Sequence, residues 1–427
     1  MDYIQAENYI HSFTRFGSQL GLERMRRLLQ LMGNPQKELK YIHIAGTNGK
    51  GSTAMMCTNI LENSGYKVGT YISPFVVDFR ERFQINSKMI EKEDFAVLAT
   101  YIKPIVDKMR DEENMQVTEF EAVTAIAFKY FAENKCDIVC LEVGLGGRFD
   151  ATNVIDCPLV AIIASISLDH TAILGDTIPK IAFEKAGIIK PNSTVITYPL
   201  QDDEAVPVLK ERCREENATF ILPDKNLVKV DRCDFTGADF SFEDNNYSIK
   251  LVGNHQIYNA VAVIKAMNIL ADKGFKISYT NIKQALSQTV FTARFEVMHL
   301  NPYIIVDGAH NKEAAISLGK NIDMLPCKNK VAIMGMMADK DFETAVKEVG
   351  SRCSAVITVP VFNNPRAVDN TVLAECAKKY CANSFAINDY DKALQTALSL
   401  VDENAAIIVC GSFYMASEIR KNILNIQ

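Results

Sequence analysis

The sequence predicts an α/β protein whose first half is a doubly wound, largely parallel sheet. Two continuous apolar runs, residues 136–143 and 159–166, are typical of parallel strands that are buried on both faces. A helical pattern over residues 119–134 precedes the first of them. Near the start, a glycine-rich turn lies between an apolar segment, residues 41–44, and a helical run at 52–63. Strands that alternate with helices in this way predict a doubly wound sheet.

The glycine-rich turn, AGTNGKGST at residues 45–53, has the order strand, turn and helix of a phosphate-binding loop. Glycines let backbone N–H groups approach an anion, Lys50 adds a positive charge, and the Ser52 hydroxyl can bind magnesium. The match to G-x-x-x-x-G-K-[ST] is imperfect, because Gly46 lies only three residues before Gly49 and Gly51 separates Lys50 from Ser52. A plain turn is the alternative, but the flanking elements favour a nucleoside triphosphate site.

The remaining elements follow in order along the chain. Residues 67–72 predict a strand, residues 235–251 a β-hairpin, and residues 255–272 a helix that Gly274 ends. A second βα series begins at residue 303, with strands predicted at 303–306, 330–337, 355–361 and 406–409. We therefore expect two domains, residues 1–294 and 295–427, with a boundary near 292–297.

Composition excludes several classes of protein. The chain has 427 residues, a formal net charge of −6 and 48% hydrophobic residues, so it lacks the basic excess typical of nucleic-acid binding. It contains no apolar stretch of about 18 residues and begins without a signal-peptide pattern. Its 11 cysteines include no C-x-x-C pair, which indicates reduced thiols. We expect a cytoplasmic protein without a nucleic-acid or membrane partner.

Several polar residues follow predicted strands, where open α/β sheets bind their ligands. Glu142 ends one strand and is well placed to hold magnesium, Ser73 follows another, and His170 follows a third. Taken singly, each has a simpler interpretation as a solvated glutamate, a turn serine or a loop histidine. Lys185, beside Glu184 in a helical segment, is by itself most simply a surface residue.

Taken together, these motifs resemble those of the folylpolyglutamate synthase and dihydrofolate synthase family, relatives of the Mur-type peptide ligases. The resemblance covers nearly the whole chain in the family's order. It rests on residues 45–53, LEVGLGGRFDATN at 141–153, DHT at 169–171, EKAG at 184–187, DGAHN at 307–311, DKD at 339–341 and GSFY at 411–414.

The resemblance implies an N-terminal ATPase domain and a C-terminal Rossmann-like domain that binds glutamate. The ATP-binding residues would be Gly49, Lys50, Gly51, Ser52, Asn259, Arg294 and Asp307. The metal-binding residues would be Ser73, Glu142 and His170. The catalytic residues would be Lys50, His170 and a carbamylated Lys185. The substrate-binding residues would be Thr118, Glu119, Phe120, Glu121, Asp150 and His310.

The implied chemistry is ATP-dependent ligation. ATP phosphorylates a folate carboxylate, the amine of L-glutamate attacks the acyl phosphate, and phosphate leaves. Two Mg²⁺ ions, Lys50 and Arg294 would neutralise the charge on the transferred phosphoryl group. The expected substrates are ATP, L-glutamate and a folate or dihydropteroate. A monovalent cation would be a further cofactor, and we expect a monomer.

The resemblance leaves the pterin substrate open. Phe75 stands where bifunctional members often have histidine, which favours a folylpolyglutamate synthase. The segment 147–151 instead resembles the bifunctional type, so added dihydrofolate synthase activity is the alternative. A Mur-type ligase of cell-wall precursors would need a further domain before the phosphate loop. A regulator that has lost catalysis would have a damaged metal set, whereas Ser73, Glu142, His170 and Lys185 are all present.

Overall fold

A computed structural model describes residues 1–13, 21–362 and 364–424, which form two compact units. The first unit comprises residues 1–228 and 258–289, and the second comprises residues 229–257 and 290–427. The helices are α1 Tyr3–His11, α2 Glu23–Leu31, α3 Lys50–Asn63, α4 Lys92–Glu113, α5 Glu119–Glu133, α6 Thr171–Leu174, α7 Ile178–Ala186, α8 Ala205–Glu215, α9 Asn254–Asp272, α10 Tyr279–Gln288, α11 Lys312–Asp323, α12 Phe342–Gly350, α13 Asn370–Lys378, α14 Tyr390–Ser399 and α15 Phe413–Ile423. The strands are β1 Tyr41–Ala45, β2 Val68–Tyr71, β3 Gln84–Ile85, β4 Lys88–Met89, β5 Ile138–Glu142, β6 Val160–Ile163, β7 Thr194–Thr197, β8 Thr219–Ile221, β9 Val228–Asp234, β10 Gly237–Phe242, β11 Asn245–Ile249, β12 Glu296–Leu300, β13 Tyr303–Val306, β14 Lys330–Met334, β15 Ala355–Thr358, β16 Ser384–Ala386 and β17 Ala406–Cys410.

The first unit is built on an eight-stranded sheet in the order β4-β3-β2-β5-β1-β6-β7-β8. The six strands from β2 to β8 in this order are parallel, and the short β3 and β4 extend the β2 edge in antiparallel pairing. Strands β1 and β5 are buried along their whole length, as their apolar runs predict. Because these strands are parallel, their carboxyl ends meet at one edge, where ligands of such sheets bind.

Helices cover both faces of this sheet. One apolar cluster joins α4 and α5 to Tyr71 and Val139, and another joins α7 and α8 to Ala161 and Val195. Helix α5 starts at a capping box, in which Thr118 accepts from the Glu121 amide and Glu121 accepts from the Thr118 amide. This cap fixes the start of α5 directly after Thr118.

The second unit contains a six-stranded sheet in the order β12-β13-β17-β14-β15-β16. Five of its strands are parallel, and β12 pairs antiparallel with β13. A separate three-stranded sheet, β11-β10-β9, contains the predicted hairpin, whose turn residues Glu243 and Asp244 both have positive φ. The predicted fold class, a doubly wound sheet domain with a small β element and a second α/β domain, is confirmed.

The two units do not divide at a single point of the chain. Residues 229–257 belong to the second unit, whereas the sequence pattern predicts a first domain that runs to residue 294. Packing accounts for this: the Phe235 ring lies 5.5 Å from that of Tyr303, and Val252 joins the apolar core around β13 and β14. Within the described residues, no helix combines the length and apolarity needed to cross a membrane.

Candidate active site

The phosphate loop connects the end of β1 to the start of α3. Gly46 has φ +150°, and a Cβ there would lie 2.7 Å from the Ala164 Cβ. Gly49 has φ +88° and caps the helix, which begins at Lys50, two residues earlier than the sequence pattern predicts. Both positions therefore need glycine, and the amides of the first helical turn face the loop as donors for an anion.

Two lysine amines converge on this loop. Lys50 Nζ donates to the carbonyl oxygens of Gly46 and Thr47, each at 3.1 Å, and Lys185 Nζ donates to the same Gly46 oxygen at 2.9 Å. Burial, reinforced by the nearby Lys50 charge, lowers the pKa of Lys185 to about 7, although Asp169 and Asp150 oppose the shift. Lys185 therefore presents a substantially neutral amine near neutral pH.

Ser73 and Glu142 lie together at the ends of adjacent parallel strands, β2 and β5. The Ser73 amide donates to Glu142 Oε2 at 3.0 Å, and the Glu142 side chain is buried. A buried carboxylate beside a phosphate loop is a suitable donor for a hard divalent cation. Among the described residues, no group of three or more His, Cys, Asp and Glu side chains is arranged to hold a metal.

His170 follows β6, on the other side of β1 from β5. Its backbone has φ +49°, and its Nε2 lies 3.9 Å from Asp169 Oδ1. The loop that carries it is tied to the phosphate loop by Thr47, whose amide donates to the Ser165 carbonyl at 2.7 Å and whose hydroxyl donates to the Ser167 carbonyl at 3.0 Å. Sequence reasoning missed Thr47, although it lies inside the glycine-rich motif.

Asn259, from α9, is buried against the phosphate loop. A Cβ on Gly49 would lie 2.8 Å from Asn259 Oδ1 and 2.9 Å from its Nδ2. The structure therefore brings Asn259 to the same loop as Gly49, Lys50, Gly51 and Ser52. Its amide covers the glycine that immediately precedes Lys50.

The predicted substrate-binding segment, 118–121, forms the N-cap and first turn of α5. The Phe120 ring lies over Gly144, where a Cβ would be 2.4 Å from the ring. Glu119 contacts His11 at 3.3 Å, and this hydrogen bond raises the pKa of His11. Glu121 forms an ion pair with Arg24 at 3.1 Å, in addition to its capping role. Phe120 thus approaches the loop after β5, whereas the Glu121 carboxylate is already engaged in structural contacts.

Asp150 lies in the loop after β5 and is buried. Its carboxylate accepts from the Leu145 amide at 2.9 Å and from the Thr152 amide and hydroxyl at 3.0 and 2.6 Å. Burial raises its pKa, and these hydrogen bonds oppose the shift. The carboxylate therefore holds the loop in shape.

In the second unit, Arg294 and His310 lie against Phe413, and Asp307 lies near Arg294. Arg294 stacks over the Phe413 ring at 4.6 Å, and the His310 ring lies 5.4 Å from it. Asp307 accepts from the amides of Phe295 and Ala309, each at 2.7 Å, and burial raises its pKa against the effect of Arg294. These three predicted residues form one cluster. Phe413, which the sequence motifs include only as part of GSFY, contacts two of the three.

Comparison with known proteins shows which family the chain belongs to. Residues 44–267 match the Mur ligase middle domain, and residues 293–413 match the Mur ligase glutamate ligase domain. The chain is 35% identical over 430 residues to a dihydrofolate synthase/folylpolyglutamate synthase of Bacillus subtilis, with 99% of each chain covered.

Solved structures give the same result. The crystal structure of folylpolyglutamate synthase from Thermotoga maritima matches with a TM-score of 0.85 and 34% identity, covering 99% of this chain and 96% of that one. The Mycobacterium tuberculosis enzyme complexed with ADP matches with a TM-score of 0.89 and 28% identity, covering 99% of both chains. The chain therefore belongs to the folylpolyglutamate synthase and dihydrofolate synthase family, within the Mur ligase superfamily.

Proposed function

We propose that this chain is an ATP-dependent acid–amino-acid ligase that joins L-glutamate to the γ-carboxylate of a reduced folate. The observation that carries the proposal is the convergence of Lys50 and Lys185 on Gly46 in the phosphate loop. One cation and one amine that is about half neutral near pH 7 thus lie beside the amides that would hold a triphosphate. Membership of the family supplies the substrate class, and the ADP complex of the Mycobacterium tuberculosis relative supports ATP as the phosphoryl donor.

In this proposal, Gly49, Lys50, Gly51 and Ser52 bind the triphosphate, and Asn259 contributes from α9. Lys50 exchanges its carbonyl partners for phosphate oxygens when nucleotide binds, because a charged acceptor forms the stronger hydrogen bond. This cation then stabilises charge on the transferred phosphoryl group.

Ser73, Glu142 and His170 are the proposed Mg²⁺ residues, for two ions. The buried Glu142 carboxylate and the adjacent Ser73 fit such a cation by their donor chemistry. When bound, magnesium would withdraw charge from the phosphate oxygens. A monovalent cation and a monomeric state complete the proposal.

Carbamylation of Lys185 is proposed on the chemistry of its surroundings. Carbon dioxide reacts with neutral amines, and burial lowers the pKa of this amine to about 7, so that about half of it is neutral near pH 7. The resulting carbamate adds a carboxylate-like group, a donor suited to magnesium, beside the phosphate loop.

The second unit is proposed to supply Arg294 and Asp307 for ATP and His310 for substrate. On the pterin side, Thr118, Glu119, Phe120, Glu121 and Asp150 are the proposed residues. Phe120 offers an aromatic face. Glu121 and Asp150, whose carboxylates are held by other groups, act by fixing the segments that carry them.

Phosphate release from Mg-ATP with L-glutamate tests this function, with tetrahydrofolate and dihydropteroate in separate reactions. Turnover with tetrahydrofolate alone supports a dedicated folylpolyglutamate synthase and the importance of Phe75. Turnover with both supports the bifunctional alternative, which the segment 147–151 favours. Glutamate-dependent turnover with neither contradicts the folate assignment and leaves an ATP-dependent ligase.

A further inference from the structure

Two segments meet directly behind Lys185: the loop after β5 and the carboxyl end of α7. The Arg148 amide donates to the Glu184 carbonyl at 2.8 Å. Asn153 Nδ2 donates to the carbonyls of Arg148 and Gly187, each at 3.0 Å. The bonds to the Glu184 and Gly187 carbonyls tie the loop to the helix end on both sides of Lys185, and the bond from Asn153 to the Arg148 carbonyl braces the loop itself.

The same contact is too close for side chains at two positions. A Cβ on Gly147 would lie 2.8 Å from the Glu184 carbonyl oxygen and 3.1 Å from the Lys185 Cα. A Cβ on Gly187 would lie 2.3 Å from the Arg148 Cα. Backbone therefore packs on backbone, which fixes the separation of the two segments.

Side chains reinforce the contact from outside. Arg148 donates through Nη2 and Nε to the two carboxylate oxygens of Glu184, at 2.6 and 3.2 Å. Its guanidinium also lies over the rings of Phe149 and Phe183, at 4.3 and 4.9 Å. A bidentate, stacked arginine has a defined geometry, so it restricts rotation of the helix end as well as its distance from the loop.

We propose that Gly147, Arg148, Asn153, Glu184 and Gly187, named here the Lys185 clasp, are positioning residues that hold the Lys185 amine against the phosphate loop. Lys185 lies in the last turn of α7, where helices fray, and its amine is at the end of a flexible side chain. Anchoring the backbone on both sides keeps that amine at the Gly46 carbonyl. The link to carbamylation rests on the function proposed above, whereas the positioning itself concerns only residues of this chain.

The clasp affects the chemistry of Lys185, because carbamylation requires the neutral form of its amine. Neutral Nζ attacks the carbon of CO₂, an N–C bond forms, one C=O electron pair moves to oxygen, and solvent takes the proton from nitrogen. The charged groups facing the amine are Lys50, which favours the neutral form, and Asp150 and Asp169, which oppose it. Burial outweighs the carboxylates, so loosening the clasp should hydrate the amine and favour its charged form.

The test is a pH titration of the Lys185 side chain by NMR in the full-length, nucleotide-free protein labelled with ¹³C,¹⁵N-lysine. Its signal is assigned by its loss in Lys185→Arg. In Arg148→Met and in Asn153→Ala we expect the titration midpoint to rise by at least one pH unit. The matched control is Arg27→Met, which breaks a bidentate pair with Glu113 of 2.6 and 2.8 Å in the same unit and should leave the midpoint unchanged.

A second measurement separates this inference from the proposed function. With ¹³C-bicarbonate, the wild-type protein should show a carbamate signal, and both clasp variants should need at least fivefold more bicarbonate for half-maximal signal. Clasp variants that fold and titrate like the wild type would overturn the positioning role. If the wild type shows no carbamate signal but the Lys185 titration midpoint still rises in the variants, carbamylation is refuted and the positioning role stands. Arg148→Lys, which keeps the charge, replaces Arg148→Met if that variant does not fold, with the same criteria.

Discussion

The amines of Lys50 and Lys185 share one acceptor, the Gly46 carbonyl oxygen, at 3.1 and 2.9 Å. Two ammonium groups on one carbonyl would repel each other strongly in a buried place. The pair is therefore most stable when one amine is neutral, and burial selects Lys185, whose pKa falls from 10.5 to about 7. One loop oxygen thus accepts hydrogen bonds from both the proposed phosphate-binding lysine and the proposed carbamylation site.

The first prediction concerns pH. With a pKa of about 7, the neutral fraction of Lys185 falls about fivefold between pH 7 and pH 6. The rate at which CO₂ restores activity to CO₂-depleted enzyme should fall by the same factor. The measurement is phosphate release after rapid addition of CO₂ at each pH, with the assay itself run at one fixed pH. A reactivation rate that is constant from pH 6 to pH 8 would contradict a titrating amine.

The second prediction concerns stability. Because the folded-state pKa of Lys185 lies below its ordinary value, the unfolded chain binds more protons between pH 7 and 10.5, so stability should rise with pH across that window. Replacing the amine removes the free-energy cost of burying a group that would otherwise be protonated. Lys185→Met should be inactive yet more stable by about 2 kcal/mol at pH 8 in CO₂-free buffer, after allowing for the lost hydrogen bond. Denaturant unfolding measures the free energy of unfolding of both proteins. A variant less stable than the wild type would show that burial of the Lys185 amine does not destabilise the fold.

The third prediction tests the phosphate loop. Gly49→Ala places a methyl group 2.8 Å from Asn259 at φ +88°, so it should lower nucleotide affinity at least tenfold. Adding Asn259→Ala relieves the collision but not the backbone strain, and it removes a proposed ATP-binding side chain, so it should restore at most part of the affinity. Titration calorimetry with ADP measures both variants. Full recovery in the double variant would assign the whole effect to the side-chain contact.

The fourth prediction tests the metal assignment. Glu142→Gln keeps an acceptor for the Ser73 amide but loses the negative charge, so the Mg²⁺ concentration for half-maximal activity should rise at least tenfold. Glu133→Gln is the control, because that exposed carboxylate forms a surface ion pair with Lys129 at 2.9 Å. Equal Mg²⁺ dependence of Glu142→Gln and the wild type would remove Glu142 from the metal set.

Local sequence patterns predicted most strands that position the site. Residues 303–306 match β13, and the apolar run 136–143 contains β5, because buried parallel strands are recognisable as continuous apolar segments. The two-residue strands β3 and β4 were not predicted, because so short a segment shows no detectable alternation of apolar and polar residues. Helix α4 was missed although its buried residues Phe95, Leu98, Ile102, Val106 and Met109 have helical spacing.

The motifs indicated candidate site residues but not all of their contacts. Asn259 was assigned to ATP, yet its position against Gly49 depends on packing between α9 and a loop about 200 residues earlier, which no local pattern encodes. The interpretation of Lys185 as a surface residue, which the family resemblance reversed, fails physically as well. Helical spacing cannot show that α7 ends against the loop after β5, where Arg148 binds Glu184.

The most direct test of the central claim is product analysis by mass spectrometry after incubation with Mg-ATP, L-glutamate and tetrahydrofolate, with phosphate release followed in the same tube. We expect one phosphate for each glutamate added, a product heavier by one glutamyl residue, and loss of both signals in Lys50→Ala. Phosphate release without a glutamylated folate, or an unchanged rate in Lys50→Ala, would contradict a folate-directed ligase that works through this phosphate loop.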